Sequence, residues 1–203
     1  RIMIDYDDPF QESDDEDWKD DELHDACYAL YNRLESMTVL NLTGLCMGQA
    51  GLKQLVDSCY DSLDRKITKR ETRPYHTQLV CLRLGLNDLP PSAGQDLVRL
   101  IAVSPNLQSV QLACNNLSNH GIELVSNACF SQLQVCDLEN NKIGMEGAQS
   151  LAANLQDTRC TIATLILNHN HIKDDGVKAI AEALKLNNTL KCLELEFNHI
   201  TER

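Results

Sequence analysis

The sequence predicts an α/β solenoid, and three observations carry that prediction. An apolar template recurs along the chain, the apolar spacing changes from strand to helix inside each copy, and the interval between copies is nearly constant. The template L-x-x-L-x-L-x-x-N-x-L fits Leu107, Val110, Leu112, Asn115, Leu117 and again Ile162, Leu165, Leu167, Asn170, Ile172. It also fits Leu79, Leu82, Leu84, Asn87, Leu89 and Leu190, Leu193, Leu195, Asn198, Ile200, with a degenerate first copy at Met37, Leu40, Leu42, Leu45, Met47. A copy at Leu133, Cys136, Leu138, Asn141, Ile143 completes six. Their starts at 37, 79, 107, 133, 162 and 190 lie 42, 28, 26, 29 and 28 residues apart, so the period is about 28 and the first interval carries an insertion.

Each element follows from local pattern. In "LQVCDLENNKIGMEGAQSLAANL", residues 133–155, the alternation around Cys136 and Leu138 predicts a strand. The i, i+3, i+4, i+7 spacing of Ala148, Leu151, Ala152 and Leu155 predicts one face of a helix. Template positions 4 and 6 point from the strand into the core. The Asn at position 9 (Asn87, Asn115, Asn141, Asn170, Asn198) turns the chain and offers an amide to the backbone of adjacent turns, which is a scaffold role. Soon after each bend stands Gly51, Gly121, Gly147 or Gly176, with Ala93 and Gly94 as the displaced case, and the helical pattern is expected to begin there, the Gly allowing a tight turn and close packing.

A period of 20 to 29 residues with this template is the leucine-rich repeat signature, and the recurring "N-x-I/L-x-x-x-G" followed by a helix resembles the ribonuclease-inhibitor type. The resemblance covers 37–203. It implies a horseshoe with parallel strands on the inner face and helices outside. Proteins of this type include ribonuclease inhibitor, sensor regions of NOD-like receptors, Ran GTPase-activating proteins, tropomodulin and ciliary or cytoskeletal proteins, so function has to be read from surface residues.

Charge divides the chain further. Between Asp5 and Asp25 twelve acids face Lys19 alone, a balance of −11 within a formal −12. Residues 1–17 are expected to be an acidic disordered arm, since like charges repel and little is available to bury. Over 18–36 the spacing of Leu23, Ala26, Cys27, Leu30 and Leu34 predicts a helix that caps the first strand. The chain starts at Arg1, and its last copy stops at "HITER", where a helix is due, so it is expected to continue beyond 203. Nothing in residues 1–25 reads as a signal peptide, and no stretch approaches the length of a membrane span. Nine cysteines without C-x-x-C pairs, with Cys136 and Cys59 on apolar faces, point to a reducing compartment. The sequons at Asn41, Asn116 and Asn187 point the other way. The cytoplasm is the expected location, with nuclear, cytoskeletal or ciliary settings as variants.

The spacing of chemistry-bearing residues points away from an enzyme. "GLCMGQAG", 44–51, has glycines but no Lys-Ser/Thr to make a phosphate loop. His171 and His199 should stand about 5 Å apart on neighbouring turns, too few ligands for a metal. No nucleophile and base share converging positions, and no cofactor is called for. Arg83 is the one residue a GTPase-activating reading would use. The inner face carries more information. Position 5 reads Asn41, Arg83, Gln111, Asp137, Ile166, Glu194, position 7 ends in Glu139, Asn168, Glu196, and position 8 ends in Asn140, His169, Phe197. Acids interleaved with Ile166, His169 and Phe197 favour a protein partner with basic and apolar residues, and they repel nucleic acid. The insertion at 64–77 holds the one basic cluster, Arg65, Lys66, Lys69, Arg70 and Arg73. Ser13, ahead of Asp14, Asp15, Glu16 and Asp17, resembles an acid-directed kinase site, and its phosphate would press the arm toward that cluster. The expected function is a non-enzymatic interaction scaffold. Its rival is the ligand-sensing region of a larger signalling protein of the NOD-like receptor type.

Overall fold

A computed structural model describes residues 37–67 and 77–201, with the backbone alone over 61–67. The acidic arm with Ser13, the expected capping helix over 18–36, and Lys69, Arg70 and Arg73 lie outside the described residues.

Six three-residue strands form one sheet in chain order: β1 Val39–Asn41, β2 Cys81–Arg83, β3 Ser109–Gln111, β4 Val135–Asp137, β5 Thr164–Ile166 and β6 Cys192–Glu194. All neighbours are parallel, and position 4 pairs with position 4 throughout: Leu40 with Leu82, then Val110, Cys136, Leu165 and Leu193. The helices are α1 Gly48–Ile67, α2 Gly94–Ala102, α3 Ser118–Cys129, α4 Met145–Leu155 and α5 Lys173–Leu184, with a 3-10 turn Pro91–Ala93 ahead of α2. Parallel strands need a crossover between them, and one helix per repeat supplies it.

The core lies between the two layers. Leu82, Leu84, Val110, Leu112, Cys136, Leu165 and Leu167 are fully buried from the strand side. Leu97, Leu100, Ile122, Leu151 and Ile180 meet them from the helices. Toward β6 this cover thins, and Leu190, Leu193 and Leu195 are only partly buried.

The Asn series is the scaffold that the sequence predicts. Asn170 Nδ2 donates to the Leu138 and Leu167 carbonyls at 3.0 and 2.9 Å, while its Oδ1 accepts the N–H groups of Asn141 and Ile143 at 2.9 and 3.0 Å. Asn115 does the same for the Leu84 and Leu112 carbonyls and the N–H groups of Asn87 and Leu89. Each amide therefore closes its own bend and stitches it to the preceding repeat.

One expectation is corrected. The helices begin before the glycines: α3, α4 and α5 open at Ser118, Met145 and Lys173, which places Gly121, Gly147 and Gly176 inside the first turn. These glycines serve close approach. A Cβ on Gly147 would sit 2.7 Å from Ile143 Cγ2 and 2.8 Å from Asn119 Oδ1, and one on Gly176 would sit 2.6 Å from Ile172 Cγ2. The insertion begins within a helix. α1 runs through Ile67 for 20 residues, against 9 to 12 in the other helices, so Arg65 and Lys66 stand in a helix. Among the described residues, no helix is long and apolar enough to cross a membrane.

Candidate interaction surface

Strand alternation turns the residues flanking position 4 to the face opposite the helices. Register then stacks them. Asn41, Arg83, Gln111, Asp137, Ile166 and Glu194 form one unbroken column, each residue paired with its neighbour on the next strand. At about 4.8 Å per strand, Arg83 stands roughly 19 Å from Glu194, so cationic and anionic ends of the column are well separated.

A second column runs beside it. Position 8 in every copy has a left-handed backbone: Gly44 at φ +83°, Leu86 at +57°, Cys114 at +57°, Asn140 at +51°, His169 at +56° and Phe197 at +55°. For a non-glycine residue this conformation costs on the order of 1 kcal/mol. In the first five copies the interrepeat ladder holds it in place. The N–H of Leu86 donates to the Ala113 carbonyl at 3.0 Å, Cys114 to Glu139 at 2.8 Å, Asn140 to Asn168 at 3.0 Å and His169 to Glu196 at 2.8 Å. The column remains accessible: Leu86 is 55% exposed and Phe197 69%.

The C-terminal half of this face is acidic and ordered. Asp137 is half-buried, and burial pushes its carboxyl above the usual range. The Glu139 N–H, 3.1 Å away, pulls it back, and the charge of Glu194 raises it again. Glu194 Oε2 accepts from Asn168 Nδ2 at 2.8 Å, and Asn168 Oδ1 accepts the Glu196 N–H at 2.8 Å. Phe197 and His169 stack with ring centroids 4.4 Å apart and planes 10° apart. His171 and His199 stand 5.4 Å apart at 28°, close to the spacing that the repeat implies. Among the described residues, no group of three or more His, Cys, Asp or Glu side chains could hold a metal ion.

Arg83, Gln111, Asp137, Glu139, Ile166, His169, Glu194, Glu196 and Phe197 thus share one surface, while Arg65 and Lys66 belong to α1. Sequence reasoning missed two features of the surface. Position 3, which holds Val39, Cys81, Ser109, Val135, Thr164 and Cys192, is a further column on the same face, and the period of two that placed position 5 also implies it. Asn168 is nearly buried and positions Glu194. Its sequence position alone carries no sign of that.

A solenoid of strand-helix repeats that presents one continuous strand face is the class that this geometry defines. A family model described as "Leucine Rich repeat" matches residues 103–126, 133–152, 160–181 and 186–202. Protein CARMIL of Dictyostelium discoideum is 28% identical over 180 residues, covering 82% of this chain and 14% of that protein. The ribonuclease inhibitor of Mus musculus is 27% identical over 191 residues, covering 83% of this chain and 41% of its own length. Among solved structures, the tropomodulin C-terminal domain of Caenorhabditis elegans superposes with a TM-score of 0.56 at 12% identity, covering 81% of this chain and 92% of that one. The last likeness is one of fold. Repeat pattern and relatives together support a leucine-rich repeat protein of the ribonuclease-inhibitor type. The chain spans less than half the length of either curated relative.

Proposed function

We propose that the inner strand face is a docking surface for another protein and that the chain acts as a non-enzymatic interaction scaffold. The observation that carries this reading is the coincidence, on one ordered face, of four carboxylates and an exposed aromatic step. Asp137, Glu139, Glu194 and Glu196 enter none of the ion pairs among the described residues. Phe197, 69% exposed, shares the last repeat with Glu194 and Glu196, two strands from Asp137 and Glu139. Exposed carboxylates raise encounter rates with a basic surface, and a desolvated aromatic anchor supplies affinity. The partner's matching surface is therefore both basic and apolar. Arg83 and Gln111, at the other end of the column, would meet a different and less basic part of the partner. The mouse relative named ribonuclease inhibitor has a protein for its target, which accords with this use of the fold.

The test replaces Asp137, Glu139, Glu194 and Glu196 together with Ser. These are strand and bend positions outside the core, so the thermal midpoint should change little. Proteins captured by the wild-type chain should be lost from the variant. If both chains capture the same proteins with equal affinity, the strand face is not the docking surface.

A further inference from the structure

The middle of the strand face carries a charge order as well as a charge. Arg83, Gln111 and Asp137 are register partners on β2, β3 and β4, so a cation, a neutral amide and an anion stand in line across three strands. At about 4.8 Å per strand, Arg83 and Asp137 lie about 10 Å apart. Neither enters an ion pair among the described residues. Arg83 is exposed, while Asp137 is half-buried and oriented by the Glu139 N–H at 3.1 Å. Beside this line the face is low. Gly85 and Ala113 occupy position 7 on β2's and β3's repeats, and a Cβ on Gly85 would come within 3.1 Å of the Ala113 carbonyl oxygen. Leu86, 55% exposed, follows Gly85 in the position 8 column.

Resting on the docking role above, we propose that this strip receives an amphipathic α-helix of the partner protein, laid across β2, β3 and β4, with a carboxylate over Arg83 and a basic residue seven positions away over Asp137. Spacing selects the helix. Residues i and i+7 share one helix face and lie about 10.5 Å apart, and the i+3 and i+4 residues between them fall at about 5 Å, over β3. Apolar side chains there cover Gly85 and Ala113, which hold no long side chain to block a close approach. An extended segment crossing the strands advances about 3.3 Å per residue and turns alternate residues away. Its same-face residues therefore fall at about 6.6 and 13 Å and miss the charged pair. A polyproline II segment reaches about 9.3 Å with its third residue but sets no side chain over β3. Width agrees as well. Leu86 lies three residues beyond Arg83 in the chain, at most about 10 Å, and a helix about 10–12 Å across spans both. The charge pair fixes the spacing, and either direction of the helix satisfies it.

The experiment titrates the full chain with an end-capped, alanine-based peptide of about twenty residues, long enough to be helical, and follows side-chain and backbone resonances by NMR. The matched peptide carries Glu, Leu, Leu and Arg at i, i+3, i+4 and i+7. An offset peptide of the same composition moves Arg to i+5, off the shared face. The matched peptide should shift Arg83, Leu86, Gln111 and Asp137 and bind about three- to tenfold more tightly at low salt, the worth of one or two exposed ion pairs. That gap should close as salt rises. Arg83→Glu, at an exposed position, should weaken the matched peptide and favour one with Arg at both i and i+7, and circular dichroism checks that the variant stays folded. The wild-type comparison of matched and offset peptides decides without it. Equal binding of the two, an affinity order that Arg83→Glu leaves unchanged, or no shift with any peptide overturns this inference. So does tighter binding of a Pro-rich peptide with Glu and Arg three residues apart. Shifts on the strip that grow with chain concentration and need no peptide overturn it too, and assign the strip to a second copy. None of these results removes the docking face, because capture by the fourfold Ser variant tests that face separately.

Discussion

Replacing Asn170 with Ala removes one amide and strands three buried backbone groups. The N–H groups of Asn141 and Ile143 lose the Oδ1 acceptor at 2.9 and 3.0 Å, and the Leu138 carbonyl loses its donor at 3.0 Å. The Leu167 carbonyl is less affected, because Asn198 Nδ2 also reaches it at 2.8 Å. A buried polar group left unpaired costs about 1–3 kcal/mol, and water can relieve part of that where the missing side chain opens space. The expected loss is therefore about 3–5 kcal/mol, a large share of the 5–15 kcal/mol typical of a domain. At roughly 2–4 °C per kcal/mol for a chain of this size, the melting midpoint should fall by about 6–20 °C. Urea unfolding followed by circular dichroism measures the loss directly. Asn116→Ala, an exposed residue one position after a ladder Asn, is the control and should stay within about 0.5 kcal/mol of wild type. Asn170→Asp sharpens the test, since it keeps an acceptor for the two N–H groups but turns the donor end against carbonyls, and it should be no milder than Ala. A loss under about 1 kcal/mol for Asn170→Ala, or one equal to the control, would refute the ladder as a source of stability.

Gly176→Ala should destabilise by about 1–3 kcal/mol, because the new Cβ meets Ile172 Cγ2 at 2.6 Å and Ala148 Cβ at 3.0 Å within a packed helix layer; thermal melts check it, and an unchanged midpoint would mean that the layer relaxes freely. Thiol labelling of the native chain should modify the exposed Cys46 and Cys192 first and spare Cys129, Cys136 and Cys160, which are buried. Burial pushes the Cys136 thiol up to about 12, so its thiolate is scarce at any working pH; mass spectrometry of the labelled peptides would expose an early Cys136 adduct as a contradiction. Asp137→Asn should raise stability at neutral pH. The folded carboxyl titrates above its ordinary value, so wild-type stability falls as pH rises through that window, whereas the Asn variant has no such step. Denaturation curves of the two proteins should converge below the ordinary carboxylate range, and a difference that persists there would point to packing instead of charge.

What the sequence made legible and what it hid follow from which groups do the specifying. The six strands and their register were readable because buried leucines recur at fixed template positions, and a slip of one residue would turn every one of them to solvent. The Asn series was readable for the same reason, since a buried amide at a bend has few roles open to it. The starts of α3, α4 and α5 were misplaced by two or three residues because the first turns, such as Met145 and Glu146 or Lys173 and Asp174, are exposed or only half-buried and leave no trace in apolar periodicity. The left-handed column at position 8 was invisible for a deeper reason. Its occupants Leu86, Cys114, Asn140, His169 and Phe197 have no shared propensity, and only Asn favours that conformation on its own.

The conformation at position 8 is set by backbone bonds from neighbouring repeats, such as the His169 N–H to the Glu196 carbonyl. Because the ladder uses no side-chain atom of that residue, almost any side chain can stand there once the ladder has offset the strain. The fold thus fixes where position 8 stands and leaves open what it carries. The same separation holds at position 5, where Arg83, Gln111, Asp137, Ile166 and Glu194 share one register but no chemistry. A substitution at either column should therefore change the exposed surface with little effect on folding, whereas one at positions 4, 6 or 9 should change folding first. Phe197 is where this division matters most. It carries an aromatic ring stacked on His169 at a position where the fold sets the backbone and leaves the side chain open.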